Sequence, residues 1–345
     1  MRKRPLFFAG IALAVIVVLI AALLLWPRKS MPGKLAVVSS PEAELVAGVD
    51  QKDNKIVVYR MEDPDWNDAG SVVWQCRPSL RSGFSRAWKY KMASDAKLRY
   101  SEHYGGLVVI TCASGGMVYV IDYAGGECLF AADMGKGSNP HSVELLPSGN
   151  LVVASSEDNT LTIFPALKAD EKSDYRFTQP LEGAHGLSWD PRSKLLWALG
   201  GERLSAYEPG GTAEEPELIP RVGLIFDLPA PEGEYAGGHD LFPVYGTEQF
   251  YWVTTNRDIF QFNVETGQFS TDYPGHDLIG GPGAKAIGNQ PYSGAVVRAV
   301  PNGTHELWDT DTADIFTFDN GFAKHESRTH KREAYYKLRV WHPDY

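Results

Sequence analysis

The sequence predicts an all-β fold, a six-bladed β-propeller preceded by a single N-terminal transmembrane helix, and three observations carry that expectation. First, Pro140 to Val153, Ala184 to Trp197 and Gly238 to Trp252 repeat one pattern: a histidine near the start, a short apolar strand, a turn, and a second apolar strand. His141 and His185 are 44 residues apart and His185 and His239 are 54 apart, the period of propeller blades. Second, no segment after residue 30 has the length and 3.6-residue period of an amphipathic helix, so helices beyond it should be absent or trivial. Third, Leu6 to Trp26 is an uncharged apolar run of 21 residues, long enough to cross a bilayer as a helix.

From the amino terminus, residues 1–5 form a basic head, residues 6–26 the anchor and residues 27–33 a tether; residues 34–345 form the propeller. Arg2, Lys3 and Arg4 favour a cytoplasmic head, which places the propeller outside the cytoplasm, in the periplasm or on the cell surface, as a single-pass membrane protein. A cleaved signal peptide would have a shorter apolar core and small residues at its end; Leu23-Leu24-Leu25-Trp26-Pro27-Arg28 offers neither. A further strand is expected at Lys34 to Val38.

Six units of short strands follow, separated by turns rich in Asp, Asn, Lys and Gly. The first has Leu45–Asp50, Lys55–Tyr59 and Ser71–Trp74, the second Leu107–Ile110, Met117–Ile121 and Glu127–Phe130, and the third Leu151–Ala154, Leu161–Phe164 and Tyr175–Phe177. The fourth has Leu195–Ala198, Arg203–Tyr207 and Arg221–Ile225, the fifth Phe250–Val253, Asp258–Phe262 and Gly267–Phe269, and the sixth Ala295–Arg298, Ile315–Phe318 and Tyr335–Trp341. A closed ring of such units leaves no long unpaired sheet edge. Its closure should use strands from both chain ends.

The formal net charge of −10 argues against a general nucleic-acid binder, whose phosphate contacts require a basic face. Three scattered cysteines, Cys76, Cys112 and Cys128, make neither a disulfide framework nor a zinc knuckle. Asp309, Asp311 and Asp314 have an alternating spacing, but the loop lacks the glycine and terminal glutamate of an EF-hand and reads as a turn. His325, His330, Lys331 and Arg332 read as a polar surface linker.

Motifs such as Leu195-Leu196-Trp197-Ala198 and Glu306-Leu307-Trp308-Asp309, set on the hairpin period, resemble uncharacterised bacterial six-bladed propellers related to the YVTN and WD40 repeat families. The resemblance covers residues 34–345 and implies the fold; it implies no single activity, because propellers host enzymes, receptors and scaffolds alike.

Counting back ten residues from the second strand of a unit marks the position at the channel mouth. Leu151 leads to His141, Leu195 to His185, Ala295 to Lys285 and Leu107 to Lys97, while Phe250 needs eleven to reach His239. Loops on the same face bring Arg203 and Arg257. Three imidazoles can hold a divalent transition metal, so His141, His185 and His239 are candidate metal ligands and candidate catalytic residues. With Lys97, Arg203, Arg257 and Lys285 they form a candidate site for a carboxylate, sulfate or phosphate. In residue type the ring is similar to those of propeller polyuronide lyases and sulfotransferases. Three functions follow as expectations. The leading one is an extracytoplasmic propeller that binds an anionic, carbohydrate-derived ligand; the others are a metal- or His-dependent lyase or hydrolase acting on glycans, and a scaffold for protein partners. A purely structural use, each residue bonding its neighbour's backbone, is the alternative to all three.

Overall fold

In the computed structural model, which describes residues 43–166 and 176–344, the predicted apolar runs fold into six four-stranded antiparallel sheets. The expected head, anchor, tether and Lys34–Val38 strand lie outside the described residues. No helix among the described residues is long and apolar enough to cross a membrane.

The first blade contains β1 (Leu45–Asp50), β2 (Lys55–Arg60) and β3 (Val72–Cys76), and the second β4 (Ala93–Ser101), β5 (Gly106–Ala113), β6 (Met117–Asp122) and β7 (Cys128–Asp133). The third has β8 (Pro140–Leu145), β9 (Leu151–Ser155), β10 (Thr160–Phe164) and β11 (Phe177–Pro180). The fourth has β12 (Gly186–Asp190), β13 (Leu195–Leu199), β14 (Arg203–Gly211) and β15 (Pro216–Asp227). The fifth has β16 (Asp240–Pro243), β17 (Phe250–Thr254), β18 (Ile259–Asn263) and β19 (Gln268–Ser270), and the sixth β20 (Ala286–Asn289), β21 (Val296–Ala299), β22 (Thr312–Asp319) and β23 (Phe322–Thr329). The one α-helix among the described residues, α1 (His276–Ile279), is a single turn. The all-β six-bladed expectation holds.

The last strand, β24 (Tyr335–Val340), corrects the sequence reading. It is the innermost strand of the first blade, in the order β24-β1-β2-β3, and not part of the sixth. Val46 pairs with Val340 and Gly48 with Leu338 across this seam. Side chains reinforce it: the Ala334 N–H donates to Asp50 Oδ1 at 2.9 Å and the Tyr335 hydroxyl to the Tyr59 hydroxyl at 2.9 Å. The sixth blade takes β23 as its outer strand, over residues including His325 that the sequence assigned to a linker. An exposed outer strand has little apolar alternation by which to be recognised.

Both faces of each blade are covered by neighbouring blades, which is why strands such as Val108-Val109-Ile110 read as continuous apolar runs and not as alternating ones. Between the first two blades, Val49, Val58, Trp74, Leu98, Val109, Tyr119 and Trp341 form one cluster. At about 1.5–3 kcal/mol for each large apolar side chain buried, these inter-blade layers supply the main driving force for ring closure.

Candidate ligand site at the propeller mouth

The innermost strands β24, β4, β8, β12, β16 and β20 all run the same way along the axis, so their first residues meet at one face. The register shows which side chains arrive there. In β24, β4 and β8 a bulge inserts one extra residue opposite β1, β5 and β9, and the inserted residues are Tyr336, Ser94 and His141. A bulge bends the strand and re-aims its side chain. In the other three blades the residue just before the strand occupies this level. His185, His239 and Lys285 donate their backbone N–H to Leu199 (2.8 Å), Thr254 (2.8 Å) and Ala299 (2.9 Å).

The side chains of this ring touch. The His141 and His185 rings stack at 4.3 Å between centroids with an interplanar angle of 11°, and His185 meets His239 edge-on at 5.2 Å. The Tyr336 hydroxyl lies 3.0 Å from His141 Nδ1, and Lys285 Nζ donates to His239 Nε2 at 2.9 Å. Asn256 Oδ1 lies 2.8 Å from the same His239 nitrogen. Gly237, at φ 65°, lets Asn256 close in, since a Cβ there would meet its amide. The His185 Nδ1 faces the Gly183 carbonyl at 2.7 Å. A carbonyl only accepts, so Nδ1 carries the proton and Nε2 presents a lone pair. His141 and Tyr336 are buried, while His185, His239 and Lys285 stay partly open to solvent.

Beneath the ring the channel is filled by charge. Lys337 Nζ donates to Asp240 Oδ1 (3.0 Å) and to the His141 carbonyl (3.1 Å). The Arg339 guanidinium forks onto both Asp240 oxygens and donates through Nε to Asp95 Oδ1 at 2.8 Å. Lys97 donates to Ser142 Oγ (3.2 Å), Glu144 Oε2 (3.3 Å) and the Leu187 carbonyl (2.7 Å), and Arg99 pairs with both oxygens of Glu144 at 2.8 and 2.9 Å. All seven charged residues are at most 2% exposed. Four cations face three carboxylates, so this plug carries one positive charge in excess.

Burial, more than that excess, sets the protonation of the mouth. Burial, assisted by His185 and Lys337, holds His141 well below the usual imidazole range. Burial with Lys337 and Lys285 nearby outweighs the Gly183 carbonyl and brings His185 to about 4, and burial with Lys285 and His185 brings His239 to about 3. All three are neutral at pH 7, as the close stacking of two of them requires. Lys285 is lowered to about 8 by burial and then by Lys337. Burial alone would raise the carboxyls of Asp95, Glu144 and Asp240, but the surrounding Lys and Arg charges outweigh it and keep all three ionised.

Residues 36–323, most of the chain, match the family described as "Family of unknown function (DUF6528)". The chain belongs to this family. No curated protein matches it. Among solved structures it is similar to dihydro-heme d1 dehydrogenase NirN in complex with DHE, at 10% identity and a TM-score of 0.44, over 87% of this chain and 56% of that one. The chain thus spans little more than half of that neighbour, and the likeness concerns the fold alone.

Within this DUF6528 propeller the residues predicted from sequence separate into two groups. His141, His185, His239 and Lys285 come together at the mouth. Lys97 does not: it lies three residues beyond the bulged Ser94, inside the ion-pair plug, because the count of ten ignored the greater length of β4. Arg203 is exposed and pairs with Asp227 at 3.1 Å, away from the ring. Arg257 stands on the rim next to Asn256, held by Glu234 (2.6 Å) and the Tyr235 carbonyl (3.3 Å). Tyr336, Lys337, Arg339, Asp95, Asp240 and Glu144 were missed. Their signal was a two-residue spacing of charges, Asp95-x-Lys97-x-Arg99 and Lys337-x-Arg339, which puts them on one face of an inner strand.

The arrangement suits an anion better than a metal. His239 directs Nε2 at Asn256 and Lys285, and the Lys285 ammonium group would repel a metal ion from that nitrogen. Among the described residues no group of three or more His, Cys, Asp or Glu is placed to hold a metal ion. The acidic turn is closed on itself: buried Asp309 accepts the backbone N–H groups of His305 (3.1 Å) and Glu306 (3.0 Å).

Proposed function

We propose that the mouth binds a small carbohydrate-derived acid, whose carboxylate pairs with Lys285 and whose hydroxyl groups donate to the free lone pair of His185. One observation carries this reading. Lys285 is a partly open cation that forms no salt bridge among the described residues, above a plug that already has one positive charge in excess. An entering carboxylate would be attracted by both. The neutral imidazoles supply an acceptor that a bare phosphate or sulfate site would not need. The uncharged run at residues 6–26 supports holding this propeller at a cell membrane, on its extracytoplasmic side.

Calorimetric titration of the full-length protein with galacturonate, against neutral galactose, tests the proposal. A charge-assisted hydrogen bond contributes about 1.5–3 kcal/mol, so Lys285→Met should weaken galacturonate binding by roughly 10- to 100-fold. Affinity should be flat from pH 5 to 7, where the histidines stay neutral, and fall as pH rises through about 8, where Lys285 loses its proton. Equal binding of galactose and galacturonate would refute it. A titration step near pH 6.5, as unperturbed histidines would give, would do the same.

A further inference from the structure

The loop joining β3 to β4 crosses the face that holds the mouth. Residues 77–92 contain five Arg and Lys and no Asp or Glu, in a chain of net charge −10. The loop is firmly seated. Phe84 and Tyr90 are buried, Phe84 packs edge-on against Tyr119 at 5.2 Å, and the Tyr90 hydroxyl meets Thr111 at 2.7 Å. Arg86 and Lys89 are fixed to Asp133 at the end of β7. Arg77, Arg81 and Lys91 are exposed and form no ion pair among the described residues, and between the two anchors Trp88 is 59% exposed. The rim on the far side, over the fourth and fifth blades, is acidic, with exposed Glu182, Glu202 and Glu232 beside the Arg257–Glu234 pair. The face is therefore polarised, basic beside the first two blades and acidic across the mouth.

We infer that the ligand of the mouth is the end of an acidic polysaccharide chain, whose following sugars lie across this loop, their carboxylates on Arg77, Arg81 and Lys91 and one ring stacked on Trp88. The inference rests on the mouth reading and extends it from a sugar acid to its polymer. A rigid Trp flanked by unpaired cations offers a sugar ring an apolar platform and its acid groups their partners. The mouth residues are only partly exposed, below the level of the loops, so a chain end can reach them and a flat lipid surface cannot.

The test compares galacturonate with an oligogalacturonate of about ten sugars on the full-length protein, the wild type against Arg77→Ser/Arg81→Ser/Lys91→Ser and against Trp88→Ala. The oligomer should bind at least about tenfold more tightly than the monomer, because its second contact is intramolecular, and with the steeper salt dependence. The triple variant should lose that gain and leave monomer affinity unchanged; Trp88→Ala should lose part of it. Equal affinities for monomer and oligomer would overturn this inference and leave the mouth reading standing. Oligomer binding that is unaffected by Lys285→Met would overturn the mouth reading instead. Binding to phosphatidylglycerol vesicles that the triple variant abolishes and the oligomer fails to compete would assign the loop to a lipid surface and overturn the chain.

Discussion

Replacing Asp240 by asparagine keeps the shape of the side chain and removes one charge from the centre of the plug. The carboxylate accepts from Lys337 at 3.0 Å, from both terminal nitrogens of Arg339, and from the Ile287 N–H at 3.3 Å, with no exposure to solvent. An asparagine has one acceptor oxygen for these four donors, and its amide group would face cations. Removing one partner of a buried pair costs about 3–5 kcal/mol, because the other charge is left uncompensated. Against a whole stability of roughly 5–15 kcal/mol, that is a large fraction. Urea unfolding followed by the fluorescence of the nine tryptophans would measure it. Adding Lys337→Met removes a cation from the same site, so the double variant should be more stable than the single one. The positive excess beneath the mouth rises from one to two in Asp240→Asn, so galacturonate should bind more tightly even as the fold weakens. A loss below about 1 kcal/mol would refute the reasoning, since it would mean that water screens the plug. So would a double variant that is weaker than the single.

Two further outcomes are expected. His185 and His239 are lowered in the fold, so the unfolded chain binds more protons between about pH 4 and 6.5; their contribution is complete above 6.5 and is lost on acidification through that window. At about 1.4 kcal/mol per pH unit, bringing His185 from 6.5 to about 4 corresponds to at most about 3.5 kcal/mol, less the screening allowed by its partial exposure. Asp50 acts with the opposite sign: burial and the neighbouring Glu333 raise it to about 7, so its contribution declines as pH rises from about 4 to 7. Wild-type stability should therefore still rise with pH from 4 to 6.5, because two imidazoles outweigh one carboxyl, and Asp50→Asn should make that rise steeper; a flat profile in the variant would exclude the histidine contribution. Deleting residues 335–345 removes β24, exposes the inner edge of β1, and should abolish cooperative unfolding seen by near-ultraviolet circular dichroism; a retained sharp transition would show that the seam is dispensable.

How far the sequence disclosed this molecule depended on what each residue faces. Strands covered on both sides, such as Leu107–Ile110 and Met117–Ile121, were legible because burial on two faces leaves an unbroken apolar run. Strand β23 was not, because its outward residues answer to solvent and show no period. The histidines were legible through their repeat. Lys97 was misplaced because β4 has nine residues where β8 has six, so ten residues back from Leu107 falls inside the channel and not at its mouth. The plug was hidden for a related reason: Asp95, Lys97 and Arg99 alternate with Ala96 and Leu98 as they would on a strand with one solvated face, and only the closing of the ring turns that polar face inward.

Strand β24 explains why fold and site could not be read separately. It closes the ring by pairing with β1, and the same six residues deliver Tyr336 to the mouth and Lys337 and Arg339 to the plug. Without it the third to fifth blades would keep His141, His185 and His239, but Asp95 would keep only Lys97, at 3.7 Å, and Asp240 would lose both its cations and become an unpaired carboxylate. Such groups take up protons and do not remain charged. The positive excess beneath the mouth would vanish with the two cations, and with it the attraction for an entering anion. Ring closure and anion recognition are in this way one event, because the charges that recognise the ligand arrive only when the last strand docks.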